Sequence, residues 1–330
     1  MLLADIFVRP DVRGFLAFLN AAPGPRMHEV DAARARMMLR SIKDIADLPI
    51  GTLGTMLDLT IPGPAGDLPA RLFDPRSVRD PGPLVLFFHG GGFVIGDLDT
   101  HASFCAEMAR ALDLPVLSVD YRLAPEHRWP AAPDDCEAAA RWVASAPPAL
   151  PRVATGLVLC GDSAGGNLAI ITAMALRDDP APLPVVAHLL FYPAADGSRT
   201  YPSLAAFESG YLLDRDSLRW FADAYQADFS HPRASPLLAD LAGMPPATVL
   251  TTSLDPLRDQ GRAYAAALAQ AGVPVTFREA NGTVHGFITL RQAIPSAVAD
   301  CAGAFALAKT MIAESVATRL TSPAPTSEAR

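Results

Sequence analysis

The sequence predicts an α/β fold in which a mostly parallel sheet of eight strands has helices on both faces. Beyond residue 80, short and continuously apolar segments alternate with longer segments of helical periodicity, which is typical of parallel strands buried on both sides. Hydrophobic residues make up 50% of the 330 residues and charged residues 19%, so the chain can bury a large core. A chain of this length accommodates one large domain with a small appendage.

The first 50 residues are predicted to be helical. Pro10 followed by Asp11 is typical of the start of a helix, and apolar residues recur at roughly helical spacing between residues 28 and 47. Such helices either pack on the main domain or cover a pocket. We assign residues 1–50 to the N-terminal part of a helical cap.

The main domain is predicted over residues 51–317. It opens with antiparallel strands at residues 56–60 and 70–73, joined by a turn segment at 62–67, where apolar and polar residues alternate. Six apolar strands follow, at residues 84–88, 116–120, 157–160, 185–192, 248–253 and 275–279. The helices are predicted at about residues 100–112, 133–145, 164–177, 257–271 and 287–313.

One connection is far longer than an ordinary link between two elements. No strand pattern appears between residues 194 and 244, and this segment is rich in aromatic residues. We predict a helical cap insertion at about 195–244, above the carboxyl edge of the sheet, where α/β proteins bind ligands. The last residues, 318–330, are predicted to be a disordered tail.

Net charge and cysteine spacing argue against several classes of function. The formal net charge is −8 and the pI is about 5.3, which disfavours a general affinity for nucleic acid or anionic membranes. The four cysteines show no zinc-binding spacing, and buried reduced thiols fit a cytoplasmic protein. The N-terminus lacks signal-peptide features, and no apolar run is long enough to span a membrane.

A G-x-S-x-G pentapeptide at residues 161–165 identifies Ser163 as a candidate nucleophile. It follows a predicted strand and precedes a predicted helix, which is the context of a nucleophile elbow. Gly161 and Gly165 allow the strand and the helix to pass close to each other on either side of the serine. The hydroxyl then projects at a helix N-terminus, where negative charge is stabilised.

Three consecutive glycines follow the strand predicted at 84–88. In His89-Gly90-Gly91-Gly92-Phe93, backbone N–H groups can face a developing oxyanion without an intervening Cβ. Two donors from this loop, together with the N–H of Ala164, would form an oxyanion hole. A merely flexible loop is the alternative. His89 and Gly90 are interpreted as structural support for the loop.

The candidate base and the candidate acid that would act with Ser163 are identified by their positions along the chain. Of seven histidines, His285 lies in the loop after the last strand and can reach the nucleophile, whereas His188 lies within a strand and is predicted to be a satisfied core residue. Asp255, just after the preceding strand, fits the order serine, acid, histidine. The competitor is Asp259, which is predicted to lie in a helix and to pair with Arg258 or Arg262.

Five motifs in this order resemble the hormone-sensitive-lipase-like, or family IV, bacterial carboxylesterases of the α/β-hydrolase superfamily. They are HGGG at 89–92, YRLAPEH at 121–127, GDSAGGN at 161–167, DPLRD at 255–259 and HGF at 285–287. The resemblance implies that Gly91, Gly92 and Ala164 donate to the oxyanion, and that the leader and the insertion form the cap. It also implies an ion pair between Arg122 and Glu126 under the active-site loop, and a possible homodimer.

These observations predict a serine carboxylesterase acting on short- to medium-chain esters through an acyl-enzyme, with no metal or organic cofactor. A small-molecule ester is the expected partner. Activity should fall at acid pH, because His285 must be neutral to accept a proton. An amide or formamide hydrolase could use the same groups. A non-catalytic receptor on the same scaffold would lack the histidine, and a dehydratase or lyase is a remaining alternative.

Overall fold

A computed structural model describes residues 6–321 as one mixed sheet with helices on both faces. The strands are β1 Thr55–Gly63, β2 Gly66–Asp74, β3 Gly82–Phe88, β4 Val116–Val119, β5 Ala154–Asp162, β6 Val185–Phe191, β7 Ala247–Leu254 and β8 Val275–Val284. Their order is β1-β2-β4-β3-β5-β6-β7-β8, with β2 antiparallel to both neighbours and the others parallel. The predicted eight-stranded, mostly parallel sheet is confirmed.

The helices divide between the two faces of the sheet. They are α1 Pro10–Ala21, α2 Ala32–Ala46, α3 Ala102–Leu112, α4 Ala131–Ala144, α5 Ala164–Asp178, α6 Pro202–Ala206, α7 Arg215–Tyr225, α8 Arg258–Gln270 and α9 Ala297–Thr321. Leu84 and Leu86 of β3 belong to the core shared with α4, α5 and α8, whereas Val85 and Phe87 belong to the core shared with α3 and α9. Successive residues of a buried strand therefore fill two cores.

The first hairpin is longer than predicted. β1 and β2 remain paired as far as Gly63 and Gly66, so the connection contains two residues instead of the predicted segment 62–67. The sequence pattern concealed this extension because Pro62 interrupts the apolar alternation. A proline is tolerated there, since β1 is an edge strand and its residues need not donate on the outer side.

The C-terminal helix differs from the prediction at both ends. The segment predicted as helical from residue 287 forms only a short 3-10 turn, Phe287–Thr289, and α9 begins at Ala297, just after Pro295. The helix continues to Thr321, so the first residues of the predicted tail are helical, and residues 322–330 lie outside the described residues. Within the described part of the chain, no helix is long and apolar enough to cross a membrane.

A buried ion pair fixes the end of the N-terminal leader beside the segment that follows His285. Arg291 is 2% exposed and forms hydrogen bonds of 2.8 Å with both carboxylate oxygens of Asp47, while its guanidinium also donates to Ser103. The carbonyl of Ala46 accepts two further backbone hydrogen bonds from the same segment. Because removing one partner of such a pair leaves a buried charge, this contact holds the leader in one position.

His188 on β6 corrects one expectation. Its ring lies in the core as predicted, at 1% exposure, but neither ring nitrogen has a hydrogen-bond partner among residues 6–321. Complete burial lowers the pKa of His188 from its ordinary value of 6.5 to about 3. The folded state therefore holds this ring neutral under conditions in which the unfolded state protonates it.

We expect His188→Leu to stabilise the protein more at pH 5 than at pH 7. As the pH falls below 6.5, the unfolded wild type binds a proton that the folded state excludes, so the free energy of unfolding decreases. For a pKa of about 3 in the fold, this loss reaches about 2 kcal/mol at pH 5. Urea unfolding of both proteins at both pH values measures the difference.

The matched control is His127→Leu, because the side chain of His127 is exposed to solvent. The advantage of His188→Leu over wild type should grow by about 2 kcal/mol between pH 7 and pH 5, and that of the control should not change. An advantage of His188→Leu that is equal at both pH values would contradict this account.

Candidate active site

A sharp turn between β5 and α5 presents the side chain of Ser163. Its backbone has φ of 55° and ψ of −116°, a left-handed conformation that L-residues rarely adopt. A Cβ at Gly161 would lie 2.2 Å from the carbonyl oxygen of Gly165, and one at Gly165 would lie 1.9 Å from that of Phe88. Both flanking positions therefore require glycine, and the predicted strand–turn–helix context is present.

Three side chains that are distant along the sequence meet at the carboxyl edge of the sheet. The Oγ of Ser163 lies 2.8 Å from Nε2 of His285, and Nδ1 of His285 lies 2.8 Å from Oδ2 of Asp255. The carboxylate also accepts hydrogen bonds from the Thr252 hydroxyl and, at 2.7 Å, from the Leu257 N–H. Asp255 is fully buried, and the other two side chains are nearly so.

The hydrogen bonds set the proton positions in this chain of contacts. A carboxylate only accepts, so Nδ1 of His285 carries the hydrogen that bridges to Asp255. In the neutral imidazole, Nε2 then has a lone pair directed at the Ser163 hydroxyl. This arrangement can remove a proton from the serine as its oxygen attacks an electrophile.

Asp259 is directed elsewhere, as the sequence predicted. It lies in the first turn of α8, where its carboxylate binds Arg258 at 2.9 Å and Arg262 at 3.2 Å. Its second oxygen accepts a hydrogen bond from the Ser203 N–H at the start of α6. Asp259 therefore ties the segment between β6 and β7 to α8 and does not contact the histidine.

The glycine loop after β3 turns sharply beside the serine. The carbonyl oxygen of Gly91 accepts hydrogen bonds from the N–H groups of Val94 and Ile95, both at 3.0 Å. Among the described residues, the N–H groups of Gly91 and Gly92 have no protein acceptor. Together with Ala164, at the first turn of α5, they line the same cavity as Ser163. These donors are available to an anion bound there.

His89 and Gly90 fix the start of this loop through contacts with Tyr121 and Asp162. His89 is fully buried and stacks on Tyr121, whose hydroxyl donates to the His89 carbonyl at 2.6 Å. Burial lowers the pKa of His89 to about 4, so its ring is neutral in the fold. The N–H of Gly90 donates to the carboxylate of Asp162 at 2.7 Å. This role of Asp162 was not predicted, although the residue lies within the G-x-S-x-G motif.

The expected ion pair between Arg122 and Glu126 is wrong. Arg122 instead binds the fully buried carboxylate of Asp135 on α4, at 2.7 Å. Glu126 is half exposed and binds Arg36 of α2, also at 2.7 Å. Arg36 donates in addition to the carbonyl of Val94, so this residue fastens the leader to the glycine loop. No local pattern in the sequence indicates that contact.

A cavity of about 1190 Å³ opens above the serine and histidine. Both the leader and the segment between β6 and β7 contribute to its walls, which are mostly apolar. The leader provides Phe15, Phe18, Leu19, Met38, Leu39, Ile42 and Ile45, and α7 provides Leu218, Phe221 and Tyr225. Such a space accommodates an apolar small molecule with its reactive group beside Ser163.

The chain is similar to known α/β hydrolases and esterases. Residues 85–289 match the family described as alpha/beta hydrolase fold. The carboxylic ester hydrolase LipN of Mycobacterium tuberculosis is 45% identical over 249 residues, which cover 71% of this chain and 65% of LipN. The ethyl acetate hydrolase of Pseudomonas putida is 37% identical over 305 residues, covering 88% of this chain and 95% of that protein.

Solved structures agree with these relatives. The hyperthermophilic esterase from the archaeon Pyrobaculum calidifontis superposes with a TM-score of 0.86 at 36% identity, covering 93% of this chain and 99% of that one. The thermostable esterase from Pseudomonas putida ECU1011 has a TM-score of 0.88 at 29% identity, covering 94% and 99%. The similarity therefore extends over more than nine-tenths of the chain.

Proposed function

Because this chain belongs to the α/β-hydrolase family, in its hormone-sensitive-lipase-like group, we propose that it is a serine carboxylesterase. The observation that carries this proposal is the unbroken chain of hydrogen bonds from Ser163 through His285 to Asp255. It ends within an apolar cavity, beside backbone N–H groups that have no acceptor among residues 6–321. A nucleophile, a base, an orienting acid and oxyanion donors are the groups that catalyse acyl transfer to water through a covalent intermediate.

In the first half of the reaction, the serine oxygen attacks the ester carbonyl while His285 takes its proton through Nε2. The carbonyl oxygen becomes negatively charged and accepts hydrogen bonds from the N–H groups of Gly91, Gly92 and Ala164. Losing one such donor typically costs about 3 kcal/mol of barrier height. Asp255 holds the imidazole in the tautomer that can accept a proton, and it stabilises the imidazolium that forms.

In the second half, His285 gives its proton to the oxygen of the departing alcohol, which leaves an acyl group on Ser163. A water molecule then attacks this acyl-enzyme, with His285 again taking the proton. The second tetrahedral intermediate collapses to release the carboxylic acid and restore the serine hydroxyl. The same three donors serve both oxyanions.

The cavity favours esters with an apolar acyl group of short to medium length. Its walls are mostly aliphatic and aromatic, and it is large enough for substrates well beyond acetate. Two relatives are named as a carboxylic ester hydrolase and an ethyl acetate hydrolase, which supports an ester substrate for this chain rather than an amide.

The test is a chain-length series of p-nitrophenyl esters, from acetate to palmitate, assayed beside the matching p-nitroanilides. We expect kcat/KM to peak at butyrate or hexanoate and to be far lower for every anilide. A preference for the anilides would favour the amide hydrolase. Absence of turnover with all esters, in protein that is shown to be folded, would overturn the proposal.

A further inference from the structure

The glycine loop adopts an unusual backbone conformation that needs support from outside. Gly91, Gly92 and Phe93 have φ angles of 116°, 60° and 64°, so three consecutive residues lie in the left-handed region. Glycine adopts this conformation freely, but for Phe93 it is unfavourable. Strained residues persist where surrounding contacts hold them.

Helix α7 of the cap provides such contacts. The aromatic ring of Phe221 lies directly over Gly92, since a Cβ added at Gly92 would be 2.2 Å from that ring. One turn further along α7, the ring of Tyr225 stacks on that of Phe93, with centroids 3.9 Å apart and planes at 4°. The helix therefore covers both residues at the end of the left-handed run.

The helix itself is fixed at both ends. Its last carbonyl, that of Tyr225, accepts a hydrogen bond of 3.1 Å from the N–H of Trp129 in the main domain. Near its start, the Oγ of Ser217 lies 3.0 Å from Nδ1 of His28 in the leader. These contacts keep the ring of Phe221 in place over Gly92.

We propose that Phe221 is a positioning residue that holds the N–H of Gly92 in the direction of the developing oxyanion. This inference rests on the proposed function. Because the oxyanion exists only in the transition state and the tetrahedral intermediates, a misdirected N–H weakens their binding much more than it weakens ground-state binding. Removing the ring therefore lowers kcat, whereas losing an ordinary wall of the cavity changes KM.

The first experiment compares Phe221→Ala with Leu218→Ala, using p-nitrophenyl butyrate. Leu218 is the matched control because it lines the cavity on the same helix. We expect kcat of Phe221→Ala to fall about tenfold, the equivalent of one poorly aligned donor, with a smaller change in KM. Leu218→Ala should change mainly KM. The concentration of active sites is titrated with a fluorophosphonate, and kcat is calculated per active site, so that misfolded protein does not lower its value.

The second experiment is a double-mutant cycle with Gly92→Ala. In the wild type the added methyl group collides with the ring of Phe221, whereas in Phe221→Ala it enters vacated space. We therefore expect kcat of the double variant to exceed the product of the two single effects by about tenfold. Phe221→Leu replaces Phe221→Ala if the latter does not fold, and it should show coupling of the same sign.

Two outcomes would overturn the role of Phe221. One is a Phe221→Ala variant whose kcat and KM change in the same way as those of Leu218→Ala. The other is a cycle in which the two single effects simply multiply. Both outcomes are measured relative to a wild-type enzyme that hydrolyses esters. Failure of the wild type to hydrolyse any ester would instead refute the proposed function itself.

Discussion

Replacing Ser163 with alanine is expected to lower kcat for p-nitrophenyl butyrate by at least about 10⁴-fold. The hydroxyl lies beside Nε2 of His285, which can take its proton as the oxygen attacks the substrate. The fold should persist, because the side chain is small and, within residues 6–321, its Oγ forms a hydrogen bond to that histidine alone. Steady-state kinetics on purified protein, with thermal unfolding measured in parallel, provides the test.

Ser41→Ala is the control for this substitution. Ser41 lines the same cavity from α2, but its hydroxyl donates to the carbonyl of Met38 within the helix. We expect turnover close to that of the wild type. If Ser163→Ala retained a substantial fraction of the wild-type kcat, another residue would have to supply the nucleophile.

Asp255→Asn is expected to reduce kcat by about 10³- to 10⁴-fold. The amide would turn its NH₂ group or its oxygen towards Nδ1 of His285, and the imidazole would no longer be held in the tautomer with a free Nε2. The lost negative charge would also leave the imidazolium unstabilised. The effect should appear in kcat with little change in KM, since Asp255 is fully buried and does not touch the substrate.

The neighbouring aspartate is a matched control. Asp259→Asn changes the same atoms four residues further along the chain, where the carboxylate binds arginines and the Ser203 N–H. We expect this variant to keep most of its kcat and to lose some stability. Equal losses of kcat in the two variants would contradict a specific role for Asp255 in orienting His285.

Much of the fold follows from local patterns in the sequence. Strands that are buried on both faces form continuous apolar runs, so β3 to β7 could be recognised from their composition alone. Elements that violate local preferences were placed less well: β1 contains Pro62, and the segment between Gly286 and α9 retains apolar residues without being helical. In both cases, tertiary contacts outweigh the local pattern.

The residues of the candidate site could be predicted from the sequence because each of them follows a strand. Ser163, Asp255 and His285 each come directly after a strand, and parallel strands bring their carboxyl ends together. Charge partners could not be predicted in this way. Glu126 meets Arg36 across some 90 residues, and no local pattern indicates which of the chain's arginines lies nearby.

Contacts of the segment between β6 and β7 could not be predicted from the sequence either. The aromatic residues of the insertion indicated a covering segment, but the stacking of Tyr225 on Phe93 depends on how α7 is fixed. The four cysteines are buried and unpaired, as reduced thiols would be. A homodimer and a cytoplasmic location stay predictions.

The most direct test of the account is covalent labelling with a fluorophosphonate, read by intact-protein and peptide mass spectrometry. We expect one equivalent of adduct, located on Ser163, with ester turnover lost in proportion to labelling. His285→Ala should label far more slowly, because nothing then removes the serine proton. An adduct on another residue, or ester turnover that continues in fully labelled protein, would contradict the central claim.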